Sequence, residues 1–132
     1  MKQSQIDWLI AQGVSIDALI KPSAPIVEHI KGADWLYFYE DDAMWQPKTG
    51  ELSVRDWNWC LGHQNVDPGA SLTIHATPLD WLRDNRQGIV VIDWSRAFDM
   101  LYRLPFIRLP ASIKARYEEA MRIPTLPELE II

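Results

Sequence analysis

Ile89-Val90-Val91-Ile92 places four β-branched or apolar side chains in an unbroken row between Gly88 and Asp93. A half-solvated strand would alternate apolar with polar residues, whereas a continuous run leaves no face for water. It reads as a central strand covered on both sides, so the fold needs at least one sheet with packing elements above and below it. The flanking sequence supplies them. Thr77-Pro78-Leu79-Asp80 opens a helix: threonine offers an oxygen to early amides, and proline fills the first turn, where its missing N–H costs nothing. Leu79, Trp81 and Leu82 give that helix an apolar side, and it is expected to end near Gly88.

Residues 71–76 read as the strand before this helix. After Asp93 comes a helix with Phe98, Leu101 and Tyr102 on one stripe. A short strand at 106–109 between Pro105 and Pro110 follows, and then a helix over 111–122 that buries Ile113, Tyr117, Ala120 and Met121. Strand and helix alternate through the second half, which points to an α/β or α+β fold.

The first half follows a different pattern. Ser4-Gln5-Ile6-Asp7 has the form of an N-terminal capping box, followed by a short helix that Gly13 ends and a second one around 16–20. Pro22 and Pro25 break the connection, and Pro25 is read as the start of a third helical piece through Ile30, making residues 1–31 mainly helical. The aromatic stretch Trp35-Leu36-Tyr37-Phe38-Tyr39 predicts a strand, Pro47-Lys48-Thr49-Gly50 a turn, and 51–57 a second strand, together a long hairpin with Asp56 at an inward position. The segment 62–69 is loop-like. Past Pro124, residues 124–132 form an apolar tail carrying Leu126, Leu129, Ile131 and Ile132, either docked on the body or sticky.

At 132 residues, with 48% hydrophobic residues and seven tryptophans, the chain has the material for one core of ordinary size. The expectation is a single compact domain over residues 1–132, with a mixed four- to five-stranded sheet and short packing helices. Its apolar runs are too short to cross a bilayer, and the first residues lack the basic segment, apolar run and cleavage site of a secretory signal. The single cysteine, Cys60, permits neither an internal disulfide nor a cysteine-rich zinc site, which fits a cytoplasmic setting.

The formal net charge of −5 is unevenly placed. Six acids face two bases between Asp34 and Asp56, whereas eight bases face five acids between Arg83 and Arg122. The arginines of the second half, with Trp81 or Trp94 for stacking, are compatible with an anionic partner. Direct nucleic-acid binding is nevertheless disfavoured by the overall acidity, because phosphate attraction dominates such affinity. Neither the dinucleotide-binding nor the P-loop glycine pattern occurs.

Asp93 follows an apolar strand, where a carboxylate can reach the crevice at the end of a sheet or cap the next helix. Glu40, Asp41 and Asp42 follow the aromatic strand; if Glu40 or Asp41 met Asp93, the acids could share Mg²⁺ or Mn²⁺. That is the enzymatic alternative, a divalent-metal-assisted hydrolase or phosphoryl-transfer enzyme with Asp93, Glu40 and Asp41 as its catalytic acids. Against it, adjacent strand side chains point to opposite faces. His63 and His75 lack the one-turn spacing of a helical zinc motif, and Cys60 beside His63 reads as a buried thiol rather than a nucleophile.

The leading reading is a noncatalytic interaction protein with no cofactor. Trp35, Trp45 and Trp57, joined by Tyr37 and Tyr39 of the same hairpin, are its candidate partner contacts, with Glu40, Asp41 and Asp42 as an acidic rim suited to a basic protein partner. The apolar tail offers homo-oligomerisation as a second mode. The stretch Thr77-Pro78-Leu79-Asp80-Trp81-Leu82-Arg83 with Gly88-Ile89-Val90-Val91-Ile92-Asp93-Trp94-Ser95-Arg96-Ala97 resembles a segment shared by small uncharacterised proteins of phages and prophages. The resemblance covers about a quarter of the chain and implies a mobile-element accessory role. The stretch also resembles regions that accompany the primase-type metal-binding fold. Here Asp93 is followed by Trp94 and Ser95, so the Asp-x-Asp pair of such a site is incomplete and no catalytic residue carries over.

Overall fold

The computed structural model describes residues 2–20, 26–28, 35–123 and 126–132. Helices α1 (Gln3–Ala11) and α2 (Ile16–Leu19) lead into an antiparallel sheet of β1 (Ile26–Glu28), β2 (Leu36–Phe38), β3 (Ala43–Gln46) and β4 (Glu51–Val54), ordered as in the chain. The second sheet contains β5 (Cys60–Leu61) and β6 (Leu72–His75) and, after helix α3 (Pro78–Arg83), β7 (Ile89–Val91). Helix α4 (Ala97–Leu101) then leads to β8 (Ile107–Arg108), and helix α5 (Lys114–Ala120) follows. The order of this sheet is β5-β7-β6-β8, with β6 parallel to both β7 and β8 and β5 antiparallel to β7.

The β-branched run behaves as its composition demands. β7 lies inside its sheet, and its side chains feed two separate cores. Val90 joins Leu61, Trp81, Leu82, Phe38 and Trp45 on one face; Ile89 and Val91 join Cys60, Ile74, Ala97 and Leu101 on the other. The mixed sheet is therefore the middle layer. The antiparallel sheet with α1, α2 and α3 closes one side, and α4 and the segment ending in α5 close the other.

Local signals explain the elements that hold. Thr77 Oγ1 accepts from Asp80 N at 3.1 Å, with proline in the first turn, as its sequence requires. Gly62 and Gly88 both have left-handed φ, +77° and +76°. A Cβ on Gly62 would meet the Gly88 carbonyl at 2.5 Å, and one on Gly88 would strike the Thr73 carbonyl, so only glycine lets these loops close on the sheet.

Several expectations change. Mixed α and β content is present and the mixed sheet has four strands, but the aromatic stretch builds a sheet of its own. The long hairpin is a meander, because Ala43–Gln46 pairs with β2 as well as β4. Asp56 is exposed in a turn after β4 instead of pointing inward. The helical piece expected from Pro25 through Ile30 meets a strand at Ile26–Glu28, where pairing with β2 overrides local propensity; the rest of that piece, and Pro22, lie outside the described residues. The first helix is capped by Lys2, whose N–H donates to Gln5 Oε1 at 2.9 Å, and Ser4 sits inside the first turn. Ile92 follows β7 and is only partly buried, and Tyr102 at the end of α4 is exposed. The tail is undocked: Leu126, Leu129 and Ile131 are 84%, 83% and 94% exposed.

Candidate functional site

Strand register sorts the aromatic residues of the first sheet. Leu36 opposite Trp45 and Phe38 opposite Ala43 point into the core, so Tyr37, Met44 and Ser53, aligned across β2, β3 and β4, lie on the other face. Tyr39, 66% exposed, meets Tyr37 edge to face with ring centres 6.3 Å apart. Trp57, 53% exposed, sets its ring edge to face with His63 at 5.2 Å.

Asp42 joins these pieces. It takes a left-handed backbone (φ 50°) at the end of the β2–β3 turn. Its carboxylate accepts from Tyr37 Oη at 2.5 Å and from Trp57 Nε1 at 3.1 Å, and Arg55 Nε lies 3.7 Å away. The Tyr37 hydrogen bond, with help from Trp57, holds the Asp42 carboxyl below the ordinary carboxylate range. The same bond, with burial added, pushes the Tyr37 phenol up to about 12. Trp57 is thus an exposed aromatic ring whose position is set by a hydrogen bond. A depression of about 350 Å³ lies beside it, lined by Tyr37, Asp42, Met44, Ser53, Arg55 and Asp56 among others.

Asp41, one residue earlier, turns the opposite way and is fully buried. Its Oδ1 accepts from Gly62 N at 3.0 Å and His63 N at 3.3 Å and lies 2.6 Å from His63 Nδ1. Asn58 Nδ2 donates to the Asp41 carbonyl at 2.9 Å and to that of Cys60 at 2.8 Å. One carboxylate and one amide therefore tie the β2–β3 turn to the start of the second sheet. Buried Arg86 belongs to the same region, in a left-handed conformation (φ 62°), its guanidinium 5.2 Å from the centre of the Trp81 ring. Burial pulls its pKa down, and the charges of Asp41 and Glu40 oppose that pull. The Asp41–His63 pair has the form of an oriented acid-base dyad, but Cys60, the thiol close by in sequence, is fully buried. Burial first, and the Asp41 charge second, push that thiol far above its ordinary value, which removes it as a nucleophile.

The remaining acids do not converge. Asp93 Oδ1 accepts from Ser95 N at 3.1 Å and from Ser95 Oγ at 2.6 Å, capping the turn that follows β7. Among the described residues, no group of three or more His, Cys, Asp or Glu side chains is placed to hold a metal ion. Of the acids considered for Mg²⁺ or Mn²⁺, Asp93 caps the turn after β7, Asp41 ties down the loop at Gly62 and His63, and Glu40 is half-buried in the β2–β3 turn. Of the candidate partner contacts, Trp45 is a core residue, Trp35 is half-buried and Trp57 is exposed; Asp41 is withdrawn, leaving Glu40 and Asp42 half-buried at the rim. Tyr37 and Tyr39 stand among the anchors expected from the sequence, but the Asp41–His63 pair was not singled out. An acidic triplet in a tight turn is the signal that some of its members face inward, but it does not say which.

Most arginines of the second half are committed to structural contacts. Arg83 Nε donates to the Gln12 carbonyl at 2.6 Å, and Arg96 donates to the carbonyls of Asp56 and Asn58 at 3.2 and 3.0 Å. Arg103 lies over Tyr102 and Arg116 over Trp94, and Arg122 pairs with Glu119 at 2.9 Å. His75 Nε2 lies 3.1 Å from both Asp84 Oδ2 and the Gln87 carbonyl, beside an open cleft between β6 and β8. Comparison with protein families, with curated proteins and with solved structures finds no match to this chain.

Proposed function

We propose that this chain is a noncatalytic interaction module that engages a protein partner through the outer face of its first sheet. The observation that carries the reading is Trp57, more than half exposed yet fixed by its hydrogen bond to Asp42 and its contact with His63. A large ring held in its binding rotamer loses little entropy when a partner covers it, which is the property of an interface anchor. Tyr39 and Tyr37 extend the aromatic surface, and Glu40, Asp42 and Asp56 give it an acidic margin suited to a basic partner. Among the described residues no helix is long and apolar enough to cross a membrane, so the reading needs none. The phage-like segment around α3 and β7 supports a mobile-element accessory setting in the cytoplasm.

The test is a photoreactive amino acid placed at exposed Ser53 on the same outer face or, as a control, at exposed Glu118 on α5, followed by crosslinking in the native cell. A discrete product from position 53 that is lost in Trp57→Ala and Tyr39→Ala backgrounds supports the reading. Equal labelling from both positions, or a product indifferent to those substitutions, rejects it.

A further inference from the structure

Strands β7, β6 and β8 run parallel, and the chain visits them in an order that reverses direction across the sheet. From β6 it passes through α3 to β7 on one side, then back through α4 to β8 on the other. The elements that follow β6 and β8 settle on opposite faces. Trp81 and Leu82 of α3 pack in the core shared with the first sheet, whereas Ile113 and Tyr117, after β8, pack in the core on the other side. The loops leaving these two neighbouring strands therefore part, and neither covers the carboxyl ends between them. A switch point of this kind is where open α/β sheets take up ligands.

A cleft of about 520 Å³ lies at that point. Its banks are His75 and Ala76 at the end of β6 and Arg108 and Leu109 at the end of β8, and α3 supplies its wall. The wall is held by its own bonds. Arg83 Nε donates to the Gln12 carbonyl at 2.6 Å, and Arg83 Nη1 lies 3.4 Å from Asp80 Oδ1, while Asp80 Oδ2 accepts from Thr77 Oγ1 at 2.9 Å. His75 Nε2 sits 3.1 Å from both Asp84 Oδ2 and the Gln87 carbonyl. Both acids of the wall are thus bonded from within the protein. Arg108 is not. Ladder pairing sets it beside Thr73 at the edge of the cleft. Among the described residues it is the one arginine with no ion pair, side-chain hydrogen bond or ring contact, the others being engaged by acids, backbone carbonyls or aromatic rings.

We propose that this cleft binds a small organic oxyanion, a compact apolar body carrying one phosphate or carboxylate. The Arg108 guanidinium grips the anionic group, because its planar fork of N–H donors matches two oxygens of either anion. Ala76, Leu109 and Pro110 receive the apolar body. The volume is that of a small-molecule site, and the bonds that hold Arg83 and His75 keep its wall in place before the ligand arrives. The site lies on the mixed sheet and is independent of the Trp57 surface.

Amide NMR of the full chain, titrated separately with phenyl phosphate, benzoate and inorganic phosphate, tests the proposal. At least one of the two organic anions is expected to give saturable shifts centred on His75, Ala76, Arg108 and Leu109, and the tighter of the two identifies the anionic group. Inorganic phosphate, lacking the apolar body, should bind more weakly. Arg108→Gln is expected to weaken the organic anion by about tenfold, whereas Arg103→Gln, at an exposed arginine outside the cleft, should leave its affinity unchanged. Because Arg108 is exposed and unpaired, its substitution should not move the melting transition, which separates a lost ligand contact from lost folding. Shifts that never saturate or that centre away from the ends of β6 and β8 overturn the proposal. So do equal losses in the two arginine variants, or inorganic phosphate binding as tightly as either organic anion.

Discussion

Asp41 and Asp42 are chemically identical neighbours with opposite fates, and the difference originates in the backbone. Asp42 adopts a left-handed conformation that sends its carboxylate back over the outer face to Tyr37 and Trp57, while Asp41 is drawn under the turn toward the Gly62 and His63 amides. The Tyr37–Asp42 bond makes a measurable prediction. A phenol that donates to a carboxylate loses that bond on ionising and gains a repulsion, so Tyr37 is held at about 12 against an ordinary value of 10.0. The carboxyl, accepting the same bond, is held low. The signs agree. The raised phenol contributes stability fully below pH 10 and loses it as pH rises through about 12. The depressed carboxyl contributes fully above the ordinary carboxylate range and loses its contribution on acidification through its folded value. Neutral pH therefore lies on the plateau of both. Titration of the tyrosine ring carbons by NMR should show one resonance moving near pH 12, and Asp42→Asn should return it toward 10. An unchanged midpoint in that variant would show that the bond does not form. The sequence announces three acids beside an aromatic strand; which of them faces water depends on a turn conformation that no residue type there dictates.

At the scale of elements, legibility tracks how much of the signal is local. The run ending in Ile92 needs no context to be read as a covered strand, and Thr77-Pro78 needs none to start a helix. β3 and β5 were not anticipated, because Ala-Met-Trp-Gln and Cys-Leu carry little strand signal and owe their conformation to neighbours already in register. The same limit misplaced the buried end of the β-branched run. Ile89 is fully buried against Cys60, Ile74 and Leu101, whereas Ile92, beyond the last ladder partner, is only partly covered. Ile89→Ala should therefore cost about 2–5 kcal/mol through lost burial and an unfilled cavity. Ile92→Ala should cost less, about 1–2 kcal/mol, because Ile92 only flanks the other core and part of its surface already meets water. Equilibrium denaturation of the two variants side by side gives the ranking, and equal losses would mean that Ile92 is packed as deeply as Ile89.

For the whole molecule, the question is what holds a separate antiparallel sheet against a mixed one. Apolar packing supplies adhesion, with Phe38 and Trp45 of one sheet meeting Leu61, Trp81 and Val90 around the other, but such packing tolerates sliding. Directional bonds at the seam remove that freedom. Asp41 takes two backbone N–H groups and the His63 ring from across the seam, and its charge also offsets part of the burial cost of Arg86. Asp41→Asn keeps the size and one acceptor but removes the charge, leaving the His63 contact weakened and Arg86 less compensated. A loss of about 2–4 kcal/mol is expected, within the range for removing one partner from a buried charged network. Cys60 reports where that loss falls. Its thiol is fully buried on the strand that starts just past Asn58, and it is held protonated chiefly by that burial. If Asp41 clamps the seam, the variant should expose Cys60 to a thiol reagent by local opening, at denaturant concentrations well below those of global unfolding. His63→Ala, which leaves both backbone bonds to Asp41 in place, should raise the reaction rate less. Cys60 reactivity that follows only the global transition in both variants would mean that packing alone fixes the two sheets, and that the buried carboxylate serves only the loop it touches.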